Sequence, residues 1–303
     1  MKKIITIKLL LAFLMFGAIT LPLLAQTDWK LIWSEEFNTD GAYNPEVWEP
    51  ERGFVRNHED QWYQGENAYL QDGCLVIEAR KEEGKPNPMY RLEGRRDWRS
   101  ERKEIGYTSA SLTTRLSFEF LYGRLEVRAK IPTGSGSWPA IWLLGKGMPW
   151  PSCGEIDVME YYRINDVPHI LANAAWGNDR LNSAVWNSKK IPFSHFTDKD
   201  ADWASKFHLW RMDWTPEAIR IYLDDELLND IPLTQTINGT IGQHQNPFTR
   251  PLYLLLNLAI GGDNGGRIDD AAFPMKYEID YVRVYQKGGK RHTFAKPVTR
   301  LQL

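Results

Sequence analysis

Three carboxylates stand inside an otherwise apolar, strand-like run. Residues 154–162 read Gly-Glu-Ile-Asp-Val-Met-Glu-Tyr-Tyr and include Glu155, Asp157 and Glu160. Burying a carboxylate is costly unless the group is paired, hydrogen-bonded or used in chemistry. Glycoside hydrolysis needs two such groups, one as nucleophile at the anomeric carbon and one as proton donor to the leaving oxygen. The run therefore predicts a glycosidase site.

The spacing of the three acids predicts a β-bulge. A strand alternates its faces, so Glu155 and Asp157 share one face while Glu160 would point to the other. One extra residue at Val158–Met159 restores parity, and such bulges are common beside active sites. Glu155 and Glu160 are then roughly 13 Å apart along the strand, and leaning side chains would close this to the ~5–5.5 Å of retaining enzymes. We expect Asp157 to hold the two glutamates in different protonation states. The alternative, an edge strand with solvated acids, is disfavoured by the apolar neighbours.

Short apolar or alternating runs separated by Gly, Pro, Asn and Asp predict the scaffold. Such runs lie at 74–79, 122–131, 138–144, 219–223, 252–258 and 277–285. Their spacing predicts an all-β sandwich of antiparallel sheets in one domain. Only residues 198–207 have a helical pattern, with Asp198 as N-cap.

The N-terminus predicts export. Lys2, Lys3 and Lys8 are followed by an apolar stretch at 9–24 and a passable cleavage site at 23–25, which predicts a signal peptide at 1–25. The alternative is an uncleaved anchor, since the stretch nearly reaches spanning length. No cysteine follows for a lipid anchor. We expect a secreted, periplasmic or cell-envelope protein with a catalytic domain at 26–286 and a short tail at 287–303.

The charge and the cysteines exclude some classes of protein and leave others open. Removing residues 1–25 takes away three lysines and no acids, so the net charge changes from −2 to −5 (−2 − 3). An acidic chain argues against nucleic acid as a partner. The scattered histidines disfavour a catalytic zinc. Pairing of Cys74 with Cys153 stays open.

A basic segment spans residues 80–106. It predicts a solvated surface loop or, alternatively, positive charge offered to an anionic glycan. Its basic residues are Arg80, Lys81, Lys85, Arg91, Arg95, Arg96, Arg99, Arg102 and Lys103.

Aromatic residues crowd around the acidic run. Trp138 and Trp142 lie four apart and so share a strand face, and sugar rings stack on indole. The predicted substrate-binding residues are Asn57, Glu59, Trp138, Trp142, Tyr162, Asn173 and Trp176.

These motifs resemble glycoside hydrolase family 16. The bulged Glu155-Ile156-Asp157-Val158-Met159-Glu160 is similar to the laminarinase-like version of the family signature. Further similar segments follow in order at 33–37, 56–59, 106–110, 122–129, 136–142, 255–262 and 279–285. The resemblance covers residues 29–286.

The resemblance implies a concanavalin-like β-jelly roll of two curved antiparallel sheets with an open cleft on the concave face. It implies endo-acting, retaining hydrolysis, with Glu155 as nucleophile, Glu160 as acid/base and Asp157 as the assisting acid. Asn57, Trp138 and Trp142 match positions of the glycone subsites. No cofactor is needed for catalysis. Many members bind a structural calcium, for which Glu36 and Asp280 are the candidates here.

One departure leaves the substrate open. Laminarinases usually carry a histidine in the strand after the acidic motif, where this chain has Asn173, and Trp176 follows. A β-1,3-glucan or mixed-linkage glucan is the first expectation. The alternatives are an endo-β-1,4-galactosidase acting on keratan or mucin-type chains and a non-catalytic lectin. The expected partner is a polysaccharide or oligosaccharide, with no membrane span after signal cleavage and a monomeric state.

Overall fold

The protein is built from short strands. The computed structural model describes residues 28–94 and 97–288. The strands are β1 (Trp29–Glu35), β2 (Glu49–Pro50), β3 (Gln61–Tyr63), β4 (Ala68–Gln71), β5 (Cys74–Pro86), β6 (Glu104–Ser109), β7 (Ser111–Thr113), β8 (Gly123–Lys130), β9 (Ser137–Gly145), β10 (Glu155–Ile164), β11 (Val167–Gly177), β12 (Ala184–Pro192), β13 (His208–Trp214), β14 (Ala218–Leu223), β15 (Glu226–Pro232), β16 (Leu252–Ile260) and β17 (Met275–Lys287).

Helical structure is confined to single turns in the described residues. The α-helices are α1 (Trp98–Glu101), α2 (Ser194–Thr197) and α3 (Gly262–Gly265), and 3₁₀ turns lie at Gly65–Asn67, Trp203–Ser205, Leu233–Gln235, Thr240–Gly242, Pro247–Thr249 and Asp270–Ala272.

The strands form two sheets. Ten belong to one sheet, in the order β15-β14-β13-β8-β17-β5-β6-β3, with β1 beside β17 and β4 beside β5. Seven belong to the other, in the order β12-β11-β10-β9-β16-β7-β2. The strand pairs are antiparallel except for β3 with β6. The predicted all-β sandwich is confirmed.

The core lies between the sheets, and the alternation of side chains explains it. In β8 every second residue is buried, as expected for a strand with one covered face. β16 is buried along its whole length, because its outer face carries a second apolar cluster with β9. That cluster contains Ala140, Trp142, Tyr253 and Leu255. The outer face of the seven-stranded sheet therefore carries its own apolar cluster near β9.

The predicted helix at 198–207 is wrong. α2 ends at Thr197, Asp198 follows it as C-cap, and only the 3₁₀ turn Trp203–Ser205 lies inside the predicted span. Trp203 is buried, and its ring stacks on His208 with centroids 3.8 Å apart. This packing turns the chain into β13 before a regular helix can form.

The basic segment is less of a loop than predicted. Its first part completes β5 and its last part begins β6, and between them lies α1. Arg99 donates to the carbonyls of Phe54 and Val55, at 2.9 and 2.7 Å. These contacts fasten the segment to the polypeptide preceding Asn57. Arg95 and Arg96 lie outside the described residues.

The two cysteines are not bonded to each other. Cys74 is half-buried at the start of β5, and Cys153 is buried just before β10. Both are free thiols. The predicted signal peptide at 1–25 and nearly all of the predicted tail at 287–303 lie outside the described residues. Within residues 28–94 and 97–288, no helix has the length and apolar character needed to cross a membrane.

Candidate active site

A bulge in β10 brings the three carboxylates onto one face. Asp157 pairs with Asn173 on β11, and Glu160 pairs with Leu171, so two residues of β10 stand opposite one of β11. The register with β9 shifts at the same place. The predicted bulge at Val158–Met159 is confirmed.

All three acids line one pocket on the outer face of the seven-stranded sheet. Its volume is about 830 Å³, and its walls come from β9, β10, β11, β12, β16 and the segment around residue 57. Among the predicted substrate-binding residues, those that line it are Asn57, Glu59, Trp138, Trp142, Tyr162 and Asn173. Tyr162 meets Trp138 edge to face, with ring centroids 5.6 Å apart. The aromatic wall and the acids thus face the same space.

The two glutamates are held by different N–H donors. Glu160 accepts hydrogen bonds from Trp138 Nε1 and Asn173 Nδ2, both at 2.9 Å. Glu155 accepts one from Trp150 Nε1 at 2.8 Å. Asn173 Nδ2 also lies 3.2 Å from Asp157 Oδ2. Each carboxylate is therefore fixed in orientation, and Asn173 joins two of them.

Burial raises the pKa of all three carboxyl groups, and repulsion from neighbouring carboxylates adds to this effect for Glu155 and Asp157. Burial raises the pKa of Glu160 to about 7, against the lowering effect of its two donors. Burial and the charge of Glu160 raise the pKa of Glu155 to about 7 as well. The pKa of Asp157 lies well above its usual range, because it is buried beside both glutamates. The hydrogen bond between Asp157 and Glu155 raises the pKa of Asp157 and lowers that of Glu155, so it favours the proton on Asp157 and the ionised form of Glu155.

The prediction that Trp176 faces the pocket is wrong. Trp176 is three residues from Asn173, and an odd separation in a regular strand places two side chains on opposite faces. It packs in the core between the sheets with Ala172 and Ala174, and it is 6% exposed.

Asn57 and Glu59 differ in what they can contact. Glu59 is only 2% exposed and accepts hydrogen bonds from Gln61 Nε2 at 2.7 Å and Asn57 Nδ2 at 3.3 Å. Asn57 is exposed and has a positive φ of 53°, which asparagine tolerates better than most residues. Glu59 thus orients Asn57, whose side chain meets solvent.

Several residues of the pocket are not among those predicted from the sequence. Arg56 lies with its guanidinium carbon 5.2 Å from the Trp142 ring centroid and is ion-paired with Glu51. β12 contributes Trp186, Ser188 and Lys190 to another wall. Their period-two spacing was a usable signal for a strand face. The local sequence does not indicate which strand β12 pairs with, and so it does not show that this face lines the pocket.

The residues proposed for calcium do not fit a metal site. Glu36 receives two hydrogen bonds from the Arg283 guanidinium, at 2.9 and 2.7 Å. Asp280 is bonded to Arg128 at 2.5 Å. Within the described part of the chain, no three His, Cys, Asp or Glu residues converge as metal ligands would. Both carboxylates are engaged in ion pairs on the ten-stranded sheet.

The arrangement of acids on a bulged strand can be compared with known proteins. The model of glycosyl hydrolases family 16 matches residues 55–283. The chain belongs to glycoside hydrolase family 16. The predicted resemblance is thereby confirmed, and so is the jelly-roll fold that it implied. This family 16 protein is an endo-acting glycoside hydrolase.

Three relatives of this family 16 enzyme differ in their named activities. It is 37% identical over 271 residues to a beta-glucanase of Rhodothermus marinus, covering 85% of each chain. It is 32% identical over 273 residues to a keratan-sulfate endo-1,4-beta-galactosidase of Sphingobacterium multivorum, covering 86% of this chain and 56% of that protein. A solved structure of the endo-acting O-glycanases with which prominent members of the human gut microbiota initiate mucin breakdown is 36% identical. Its TM-score is 0.75, with 87% of this chain and 92% of that chain covered.

Proposed function

We propose that this enzyme cleaves internal β-glycosidic bonds by double displacement with retention of configuration. Glu155 attacks the anomeric carbon while Glu160 gives its proton to the leaving oxygen, so an ester to Glu155 forms and the leaving chain departs as an alcohol. Glu160, now a carboxylate, takes a proton from water, whose oxygen attacks the same carbon and releases Glu155. The observation that carries this proposal is the placement of both glutamates on one bulged strand face, each held by an indole N–H.

Asp157 supports the cycle by keeping one proton in the group. Its pKa is raised by burial and by both neighbours, and its hydrogen bond with Glu155 favours the proton on Asp157. Glu155 is then stabilised as the anion that a nucleophile must be. The pKa of Glu160, raised to about 7, suits a group that acts first as acid and then as base.

The proposed substrate is a chain with β-1,4-galactosyl linkages, of the keratan or mucin type. The likeness to the endo-acting O-glycanase structure supports it, as does the galactosidase relative. Asn173, bonded to Glu160 and Asp157, also departs from the laminarinase pattern. A β-1,3-glucan or mixed-linkage glucan is the second candidate, supported by the beta-glucanase relative.

Digestion of a substrate panel tests the proposal. The panel contains laminarin, mixed-linkage glucan, agarose, keratan and mucin glycans, with products sized over time and their anomers followed by NMR. Oligosaccharide fragments from keratan or mucin chains, released first as the β-anomer, would support it. Fragments from laminarin alone would favour the second candidate. Binding on a sugar array without any released fragment would indicate a lectin.

The cellular setting is also a proposal. The basic and apolar N-terminal segment, residues 1–25, supports export to the periplasm, the cell envelope or the medium. We propose that the mature enzyme acts there as a monomer on polymeric glycans.

A further inference from the structure

β12 forms a pocket wall whose members are in register with the catalytic acids. The pairing of β10, β11 and β12 gives three rows across the sheet. The rows are Glu155–Ala175–Trp186, Asp157–Asn173–Ser188 and Glu160–Leu171–Lys190. Residues paired directly across antiparallel strands point to the same face. The three β12 side chains therefore stand on the same face as the acids.

The distance between β12 and the catalytic acids indicates which part of the substrate β12 can contact. Adjacent strands lie ~4.8 Å apart, so β12 is roughly 10 Å from β10. Trp142 on β9 and Asn57 lie on the opposite side of β10, on the glycone side if the family motif is followed. β12 is thus on the leaving-group side, beside the bond that is cut rather than at it.

This wall combines an aromatic ring, a hydroxyl group and an ammonium group. Trp186 is 46% exposed and lines the pocket, and an exposed indole face can stack on a sugar ring. Lys190 is exposed and forms no ion pair with a carboxylate of the described chain, although its charge lowers the pKa of Glu160. Ser188 is exposed between them and supplies a hydroxyl donor. Neutral glucan offers no charge to pair with such an ammonium group.

We propose that Trp186, Ser188 and Lys190 form a leaving-group subsite for a sugar carrying an anionic group, either a sulfate ester or a carboxylate. Trp186 stacks on the ring while Lys190 and Ser188 donate to the anion. Hydrogen bonds to charged groups are stronger than those between neutral partners. This subsite rests on the function proposed above, because it specifies the chain that the same acids cleave.

Lys189 provides a matched control. It neighbours Lys190 but pairs with Ala172, a residue of the core face, and it does not line the pocket. Lysines on an edge strand also discourage pairing with other sheets, and both lysines would serve that purpose equally. Comparison of the two alanine variants therefore separates substrate binding from protection of the edge.

The test measures anion preference, defined as kcat/KM for the anionic substrate divided by kcat/KM for its neutral counterpart. The pairs are keratan sulfate with its desulfated form, and sialylated with desialylated poly-N-acetyllactosamine. Lys190→Ala is expected to lower the preference about tenfold, Lys190→Arg to retain most of it, and Lys189→Ala to match the wild type. The wild-type preference is expected to fall between about 0.1 M and 1 M salt, where screening of exposed charges becomes severe. Whichever pair shows the preference identifies sulfate or carboxylate.

Three negative results are distinguishable. Equal cleavage of both members of each pair by wild type and Lys190→Ala would overturn the anionic subsite while leaving the proposed function standing. An equal loss of preference in Lys189→Ala would also overturn it, as the effect would then be general surface charge. A wild type that cleaves laminarin but neither pair would overturn the proposed function and the subsite together.

Discussion

The two walls of the pocket are built differently. On the inner wall Trp138 and Trp142 are 6% and 9% exposed, and their N–H groups are bonded to Glu160 and Asn257. On the edge wall Trp186 is 46% exposed, and Lys190 forms no ion pair among the described residues and acts on Glu160 only through its charge. Buried and bonded groups fix the geometry of a reaction, whereas exposed groups on an edge strand can change without disturbing it. We infer that the inner wall determines the chemistry and the edge wall determines the sugar.

The largest effects are expected at the catalytic glutamates. Glu155→Ala should lower kcat by at least about 10⁴-fold, comparable to removing a nucleophile elsewhere, and Glu160→Ala by ~10²–10⁴-fold. Both should keep the wild-type circular dichroism spectrum, because relief of the cost of burying a carboxylate offsets the loss of its hydrogen bonds.

Azide separates the roles of the two glutamates. With an activated glycoside, azide should rescue Glu155→Ala by attack from the vacated face and give the inverted glycosyl azide. In Glu160→Ala it should intercept the ester to Glu155 and give the retained one. Rescue of neither variant, or an inverted product from the wild type, would contradict the double displacement.

Asn173→Ala is expected to have the next largest effect, on the inner wall. Its amide donates to Glu160 and Asp157, at 2.9 and 3.2 Å. A hydrogen bond to a charged group contributes about 1.5–3 kcal/mol, so kcat/KM should fall by roughly 10- to 100-fold. This donor lowers the pKa of Glu160, and its loss therefore raises that pKa.

The pH profile of Asn173→Ala gives the specific readout. Glu160 acts as the proton donor and must be protonated, so a higher pKa extends activity upward. The alkaline limb of kcat/KM should move to higher pH. A fall in rate with an unmoved alkaline limb would mean that Asn173 only supports packing.

Trp150→Phe is expected to act on the opposite limb. The indole N–H donates to Glu155 at 2.8 Å and lowers the pKa of that group. Without it the pKa of Glu155 rises, so the nucleophile ionises only at higher pH. The acidic limb of kcat/KM should move up, and the rate should fall about tenfold at the acidic end. Trp150 is 39% exposed, which makes a folding defect a poor explanation of such a shift. If the acidic limb of kcat/KM did not move in Trp150→Phe, Trp150 would not be a positioning residue for Glu155.

The sequence predicted the parts of the site that depend on local geometry. The parity of Glu155, Asp157 and Glu160 was enough to predict the bulge, because strand alternation is a property of the chain itself. The same rule, applied to Asn173 and Trp176, would have placed Trp176 in the core. The prediction for Trp176 was wrong because it considered only the residue type and not the face of the strand on which the residue lies.

The missed residues depend on pairing between distant segments. Trp186 and Lys190 line the pocket because β12 pairs with β11 in one register, and a shift of one residue would turn them to the other face. Likewise, the family resemblance implied Glu36 and Asp280 as calcium ligands, but they are ion-paired with Arg283 and Arg128. Such partners come from folding, and no local pattern in the sequence identifies them.

The smallest expected effect tests the edge wall by itself. Stacking on an aromatic ring contributes about 0.5–1.5 kcal/mol, so Trp186→Ala should raise KM by roughly two- to tenfold. kcat should change little, because Trp186 touches neither glutamate and its contact is the same in the ground and transition states. Val185→Ala is the matched control, since Val185 is 38% exposed and pairs with Trp176 of the core face. If Trp186→Ala instead lowered kcat as strongly as Asn173→Ala, the edge wall would also hold the acids in place. The inference that the inner wall determines the reaction and the edge wall determines the sugar would then be wrong.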